Sequence, residues 1–137
     1  CCVKPETNIS EVAKLMQKNH IGCVPVCNNE NCIVGVITDR DIILRSVACD
    51  KDAKTTKASD IMTCDVCTCG ENDDLCDAER KMATNQVRRI PVVKNDKVVG
   101  ILTLGDLAQN SEELGDRNIC ETIDDICGCG GQAKNNY

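Results

Sequence analysis

The sequence predicts an α/β (α+β) fold built from two strand-helix-strand-strand-helix repeats, and three observations carry that prediction. The stretch Val34-Gly35-Val36-Ile37-Thr38-Asp39-Arg40-Asp41 returns as Val99-Gly100-Ile101-Leu102-Thr103-Leu104-Gly105-Asp106, keeping the glycine, the apolar pair, the threonine and the last aspartate. Landmarks upstream recur at one spacing: Met16 and Met82, Asn19 and Asn85, and Pro25 and Pro91 each lie 66 residues apart, and a shorter second turn makes the offset 65 for Thr38 and Thr103. Apolar residues also switch from helical spacing to short continuous runs in the same order in both halves.

Taken in order, Cys1 to Val3 reads as the end of a short first strand, and Asn8 as a helix cap answered by Glu11. Ile9, Val12, Leu15 and Met16 form one apolar helix face that Asn19-His20-Ile21-Gly22 ends. Cys23 to Cys27 and Ile33 to Thr38 are the strands of a hairpin around Asn28 to Asn31. Pro25 has no N–H to give a ladder, so its strand lies at an edge or begins irregularly. Asp41 or Asp39 caps a helix from Ile42 to about Ala48. In the second repeat Val66 to Cys69 is a strand, and Asp74 caps a helix that turns Leu75, Ala78 and Met82 inward. Val87 to Val93 and Val98 to Thr103 form the second hairpin, and Leu107 opens the last helix. The expected organisation is repeat one at 1–49 with a shortened first strand, a polar linker at 50–57 and repeat two at 58–110. A tail at 111–137 follows, with a short helix through Ile119, Ile123 and Ile126 and a flexible Cys/Gly end.

Composition narrows the function. A chain of 137 residues with 42% hydrophobic content can bury a core, but with no Phe or Trp and a single Tyr that core is Val, Ile, Leu, Met and Cys. Bases have no aromatic platform to stack on, and a net charge of -6 argues against counterion-driven nucleic-acid binding. No apolar run reaches membrane-spanning length and no export signal is visible, so the expected location is the cytoplasm. The thirteen cysteines are odd in number, and several stand where the other repeat has another residue, Cys69 for Val3 and Cys76 for Ser10. Reduced, mostly buried thiols are the expectation. Cys64-x-x-Cys67-x-Cys69 and Cys127-x-Cys129 invite a zinc or iron-sulfur reading, but the ligand spacing is incomplete and His20 is the only histidine. No catalytic constellation emerges, so an enzyme is not expected.

The repeated motifs Ile21-Gly22-Cys23-Val24-Pro25-Val26 with Gly35 to Asp41, and Val87-Arg88-Arg89-Ile90-Pro91-Val92 with Gly100 to Asp106, resemble the CBS domain family, and specifically a tandem CBS pair. Ile61-Met62-Thr63 is similar to the usual lead-in of such a motif. The resemblance implies two β-α-β-β-α units about a pseudo-twofold axis, ligand clefts between their sheets, and frequently a homodimer. It further implies regulation of an attached or partner protein, the effector being unknown, through an adenine nucleotide (AMP, ADP or ATP) or S-adenosylmethionine. A cysteine-based redox or metal-binding protein that uses the pair as a dimerisation scaffold is the alternative.

The residue chemistry suits such a ligand. A carboxylate only accepts hydrogen bonds, through two oxygens, so Asp41 and Asp106 can hold both hydroxyls of a ribose. Thr38 and Thr103 can donate to phosphate beside a helix N-terminus, and Arg88 and Arg89 add forked donors. Backbone groups of Ile21, Gly22 and Cys23 and of Val87 to Arg89 can read the adenine edge, with Val3, Val24 and Ile90 as apolar walls. Arg40, Pro25, Pro91, Thr68 and Leu104 complete the expected set. Arg88 and Arg89 stand where repeat one has Gly22 and Cys23, so the second copy is the stronger phosphate subsite.

Overall fold

The computed structural model describes residues 1–110 and 123–126, which fall in two compact units. The first comprises Cys1–Val66 with Asn95–Val98, the second Cys67–Lys94 with the described residues from Val99 onward.

In the first unit, helix α1 (Ile9–Asn19) buries Ile9, Val12 and Met16, the face that the spacing predicts. Asn8 occupies the N-cap position, but its side chain makes no cap bond. The first free N–H groups are met by the chain after the repeat instead: Ile9 donates to the Thr56 carbonyl at 3.0 Å and Ser10 to that of Ala53 at 2.9 Å. The polar segment 50–57 is thus fastened to the start of α1.

Strands β1 (Cys23–Cys27) and β2 (Ile33–Thr38) form the expected antiparallel hairpin, with Cys23 opposite Thr38 and a register shift after Val26. The expected first strand is reduced to a single parallel bridge from Val3 to Val26. Val3 donates to the Pro25 carbonyl and accepts from Cys27, so this pairing uses the proline carbonyl and not its missing N–H. On the far side of β2, Val36 and Thr63 exchange two bonds of 3.0 and 2.9 Å. Ala58 and Ile61 join Ile9, Val12, Val24, Val26 and Ile37 in the core. The segment 58–66, assigned to the second repeat from sequence, therefore packs in the first unit.

Helix α2 runs Asp39–Arg45, three residues earlier than the expected start, because Thr38 and not an aspartate is its N-cap. A 3-10 turn at Val47–Cys49 replaces its expected last turn.

In the second unit β3 is only Cys69–Gly70, parallel to β4 (Arg89–Lys94), which is followed in the sheet by β5 (Lys97–Thr103). The strand expected from Val66 is thus reduced to its end, and the Thr68 carbonyl before it accepts from the Lys81 ammonium (3.2 Å). Helix α3 (Leu75–Asn85) is capped by Asp74 as expected, its side chain accepting from the Cys76 N–H at 2.8 Å. Ala78 and Met82 face the core with Cys69, Ile90 and Leu107. Helix α4 (Leu104–Gln109) starts at Leu104 and not at Leu107, again because a threonine, Thr103, caps it. A helical turn at 123–126 returns Ile126 to this core at 3% exposure. Ile119 and the Cys127-to-Cys129 end of the tail lie outside the described residues.

Mostly buried thiols are not what the fold shows. Of the described cysteines, Cys23, Cys27 and Cys69 are buried, whereas Cys1, Cys2, Cys49 and Cys64 are exposed because they lie outside the paired strands, at the chain start, in the 3-10 turn and in the irregular segment after Thr63.

Asp73 closes the turn after β3. Its carboxylate accepts from the Gly70 N–H (3.0 Å) and the Lys81 ammonium (2.9 Å), which together hold its pKa below the ordinary carboxylate value. A depressed folded pKa gives stability that is present above the unfolded value and lost as pH falls through the folded one. The gap in urea midpoint between wild type and Asp73→Asn is therefore expected to narrow from neutral pH to about pH 3. A gap that stays constant would deny the carboxylate this role.

Candidate functional site

Each unit builds the same turn from its own residues. Thr38 donates its N–H (2.8 Å) and its hydroxyl (2.6 Å) to Asp41 Oδ2, and its Oγ1 accepts the Asp41 N–H at 3.2 Å. Thr103 and Asp106 repeat this capping box with the same 2.8, 2.6 and 3.2 Å. A hydroxyl has one hydrogen, and here it goes to the carboxylate. In this structure the two threonines orient Asp41 and Asp106. Oδ1 of Asp106 is the oxygen left for a ligand, whereas Oδ1 of Asp41 lies 3.5 Å from Arg45 Nη1.

The helix starts are tied to the turn ahead of each hairpin: Asp39 donates to the Gly22 carbonyl at 3.2 Å and Leu104 to the Arg88 carbonyl at 2.9 Å. These bonds bring the Gly22 turn against Thr38, and Arg88 against Thr103, as the motif pairing requires. α2 and α4 have only seven and six residues, and the cap already takes one leading N–H, so a helix-terminus contribution to anion binding is small.

The remaining expected residues divide. Ile21 and Val87 are half-buried beside these turns, Val3 sits on its bridge to Val26, and Leu104 packs on the second core. Arg88 and Arg89 are exposed at the start of β4, and Arg40 is exposed on α2. Val24 and Ile90 are 0% exposed and belong to the unit cores. Cys23, Pro25 and Pro91 are buried in their strands, and Thr68 is half-buried with its carbonyl on Lys81.

Cys67 Sγ accepts from Asn85 Nδ2 at 3.3 Å, whereas Cys69 is buried in β3, and burial raises its thiol pKa. Cys27 is pushed up to about 11, first by burial and then by the neighbouring Cys2 thiol. Among the described residues no three His, Cys, Asp or Glu gather as a metal site.

Sequence reasoning missed two charged residues. Arg45 lies 3.5 Å from Asp41 Oδ1 at the (i, i+4) spacing that a helix brings together, a signal present in the sequence. Glu79 is 1% exposed on the inner face of α3, next to Ala78, and periodicity alone gives no reason to expect a carboxylate there.

The family model for the CBS domain matches residues 2–48 and 58–113. The chain belongs to the CBS domain family. This CBS pair is 40% identical over 108 residues to the CBS domain-containing protein YhcV of Bacillus subtilis, covering 79% of this chain and 76% of that one. The crystal structure of Hypoxic Response Protein I with two coordinated zinc ions is similar at a TM-score of 0.74 and 29% identity, over 80% of this chain and 88% of that one. A CBS domain pair solved with 5′-methylthioadenosine and S-adenosyl-L-methionine is similar at a TM-score of 0.71 and 28% identity, over 82% and 89% of the two chains. Among the described residues no helix is long and apolar enough to cross a membrane.

Proposed function

We propose that this CBS pair is a non-enzymatic regulatory module that senses an adenine nucleotide (AMP, ADP or ATP) or S-adenosylmethionine, and that its second copy binds more tightly. The observation that carries the reading is Asp106, an exposed carboxylate that Thr103 orients through Oδ2, leaving Oδ1 as acceptor beside a turn where Arg88 and Arg89 are both exposed. Support comes from the similar CBS pair solved with S-adenosyl-L-methionine. The module acts as a homodimer in the cytoplasm on a separate effector protein. A ligand transmits a signal only as far as it binds one arrangement better than another.

Calorimetric titration with AMP, ATP and S-adenosylmethionine tests this. At least one is expected to bind, and Asp106→Ala to weaken it by roughly ten- to a hundredfold, the loss of hydrogen bonds to a charged acceptor. No heat from any of the three would sink the proposal.

A further inference from the structure

Arg45 is matched in the second unit by Asn110, at the same offset of 65 that relates Asp41 to Asp106. The two residues do different things. Arg45 Nη1 donates to the Ile61 carbonyl at 2.9 Å and to Thr63 Oγ1 at 3.1 Å, and it stands 3.5 Å from Asp41 Oδ1. Asp41 Oδ2 is already held by Thr38, so both oxygens of Asp41 face protein groups and the side chain is only 14% exposed. Asn110 turns its Nδ2 back to the Asp106 carbonyl at 2.8 Å, and among the described residues no cation pairs with the Asp106 carboxylate, which is exposed.

We infer that Arg45 is a specificity-determining residue: it clasps the first carboxylate to the Ile61–Thr63 segment, so that the two subsites are unequal and a ribose-bearing ligand fills the Asp106 site first. This rests on the proposed adenylate reading for its ligand, but the clasp itself does not. A ribose diol at Asp41 must share Oδ1 with a guanidinium that two further acceptors hold in place. Moving that guanidinium away leaves the Ile61 carbonyl without its donor, which adds to the cost of binding there. At Asp106 the diol meets no such competitor.

Carboxyl footprinting with a carbodiimide and glycine ethyl ester, read by mass spectrometry on ligand-free protein, tests the clasp directly. Asp106 is expected to label faster than Asp41 in wild type. Arg45→Asn is expected to raise the Asp41 rate with Asp106 unchanged as the internal reference, Arg45→Lys to keep most of the protection, and Asn110→Arg to slow Asp106. ATP titration then follows on Asp106→Ala with and without Arg45→Asn, where removing the clasp is expected to tighten binding about three- to fivefold, the range that an exposed ion pair supports. Equal labelling of the two aspartates in wild type, or no change in Arg45→Asn, overturns the inference whether or not ATP binds. Weaker ATP binding on removing Arg45 overturns it as well. Labelling that shifts as expected while ATP, AMP and S-adenosylmethionine all fail to bind upholds the clasp and removes the adenylate reading.

Discussion

Ile61→Ala is expected to destabilise the protein by about 2–5 kcal/mol in urea unfolding, the range for removing a buried aliphatic side chain that leaves a cavity. Ile61 is 2% exposed and packs with Ile9, Val12 and Ile37, although the 50–57 segment separates it from them in sequence. Ile43 makes the control. It is 58% exposed on α2, and Ile43→Ala should change stability by no more than about 0.5 kcal/mol. Amide exchange should report the Ile61 loss in α1, whose first N–H groups also depend on the Ala53 and Thr56 carbonyls. If Ile61→Ala and Ile43→Ala proved equally mild, residues 58–66 would have no place in the first core.

Where the repeat was strong, the sequence was easy to read. Periodicity and the repeat together place α1, α3 and both hairpins, because Ile9, Val12, Met16, Ala78 and Met82 reach their cores at helical spacing and Pro25 and Pro91 mark matching strands. Which core the segment 58–66 enters is harder to read, since a segment that opens the second sequence repeat packs in the first compact unit. Ile61 and Ile126 share the 65-residue offset of Asp41 and Asp106, so the clue was present: each unit has an isoleucine that returns to its own core after the capped helix. The site split along the same line. Thr38, Asp41, Thr103 and Asp106 were legible as a repeated pair, but the direction of the threonine hydrogen was not, because a hydroxyl can serve either partner until geometry fixes it. Val24 and Ile90 enter the cores at 0% exposure, and their short apolar runs carry no alternation that would tell a core position from one beside a ligand.

Gly35 and Gly100, the two glycines of the repeated motif, should respond differently to alanine. A Cβ on Gly35 would lie 2.6 Å from Met62 Sδ and 3.1 Å from the Thr63 carbonyl, the backbone that pairs with Val36. The thioether can swing aside, but the carbonyl moves only if β2 and Thr63 separate, so Gly35→Ala is expected to cost about 1–3 kcal/mol through overpacking. A Cβ on Gly100 would meet nothing closer than the Val92 side chain at 3.7 Å, an ordinary contact, and Gly100→Ala should be near neutral. The pair isolates close approach from glycine's backbone freedom, since both residues sit in strands at matching positions. Adding Met62→Ala to Gly35→Ala separates the two clashes. Recovery of part of the loss, measured as a coupling energy in a double-mutant cycle, assigns that part to the thioether, and what remains belongs to the Thr63 carbonyl. Equal effects of alanine at Gly35 and Gly100 would mean that the Met62–Thr63 segment does not press on β2, and the anchor that holds Arg45 beside Asp41 would lose its support.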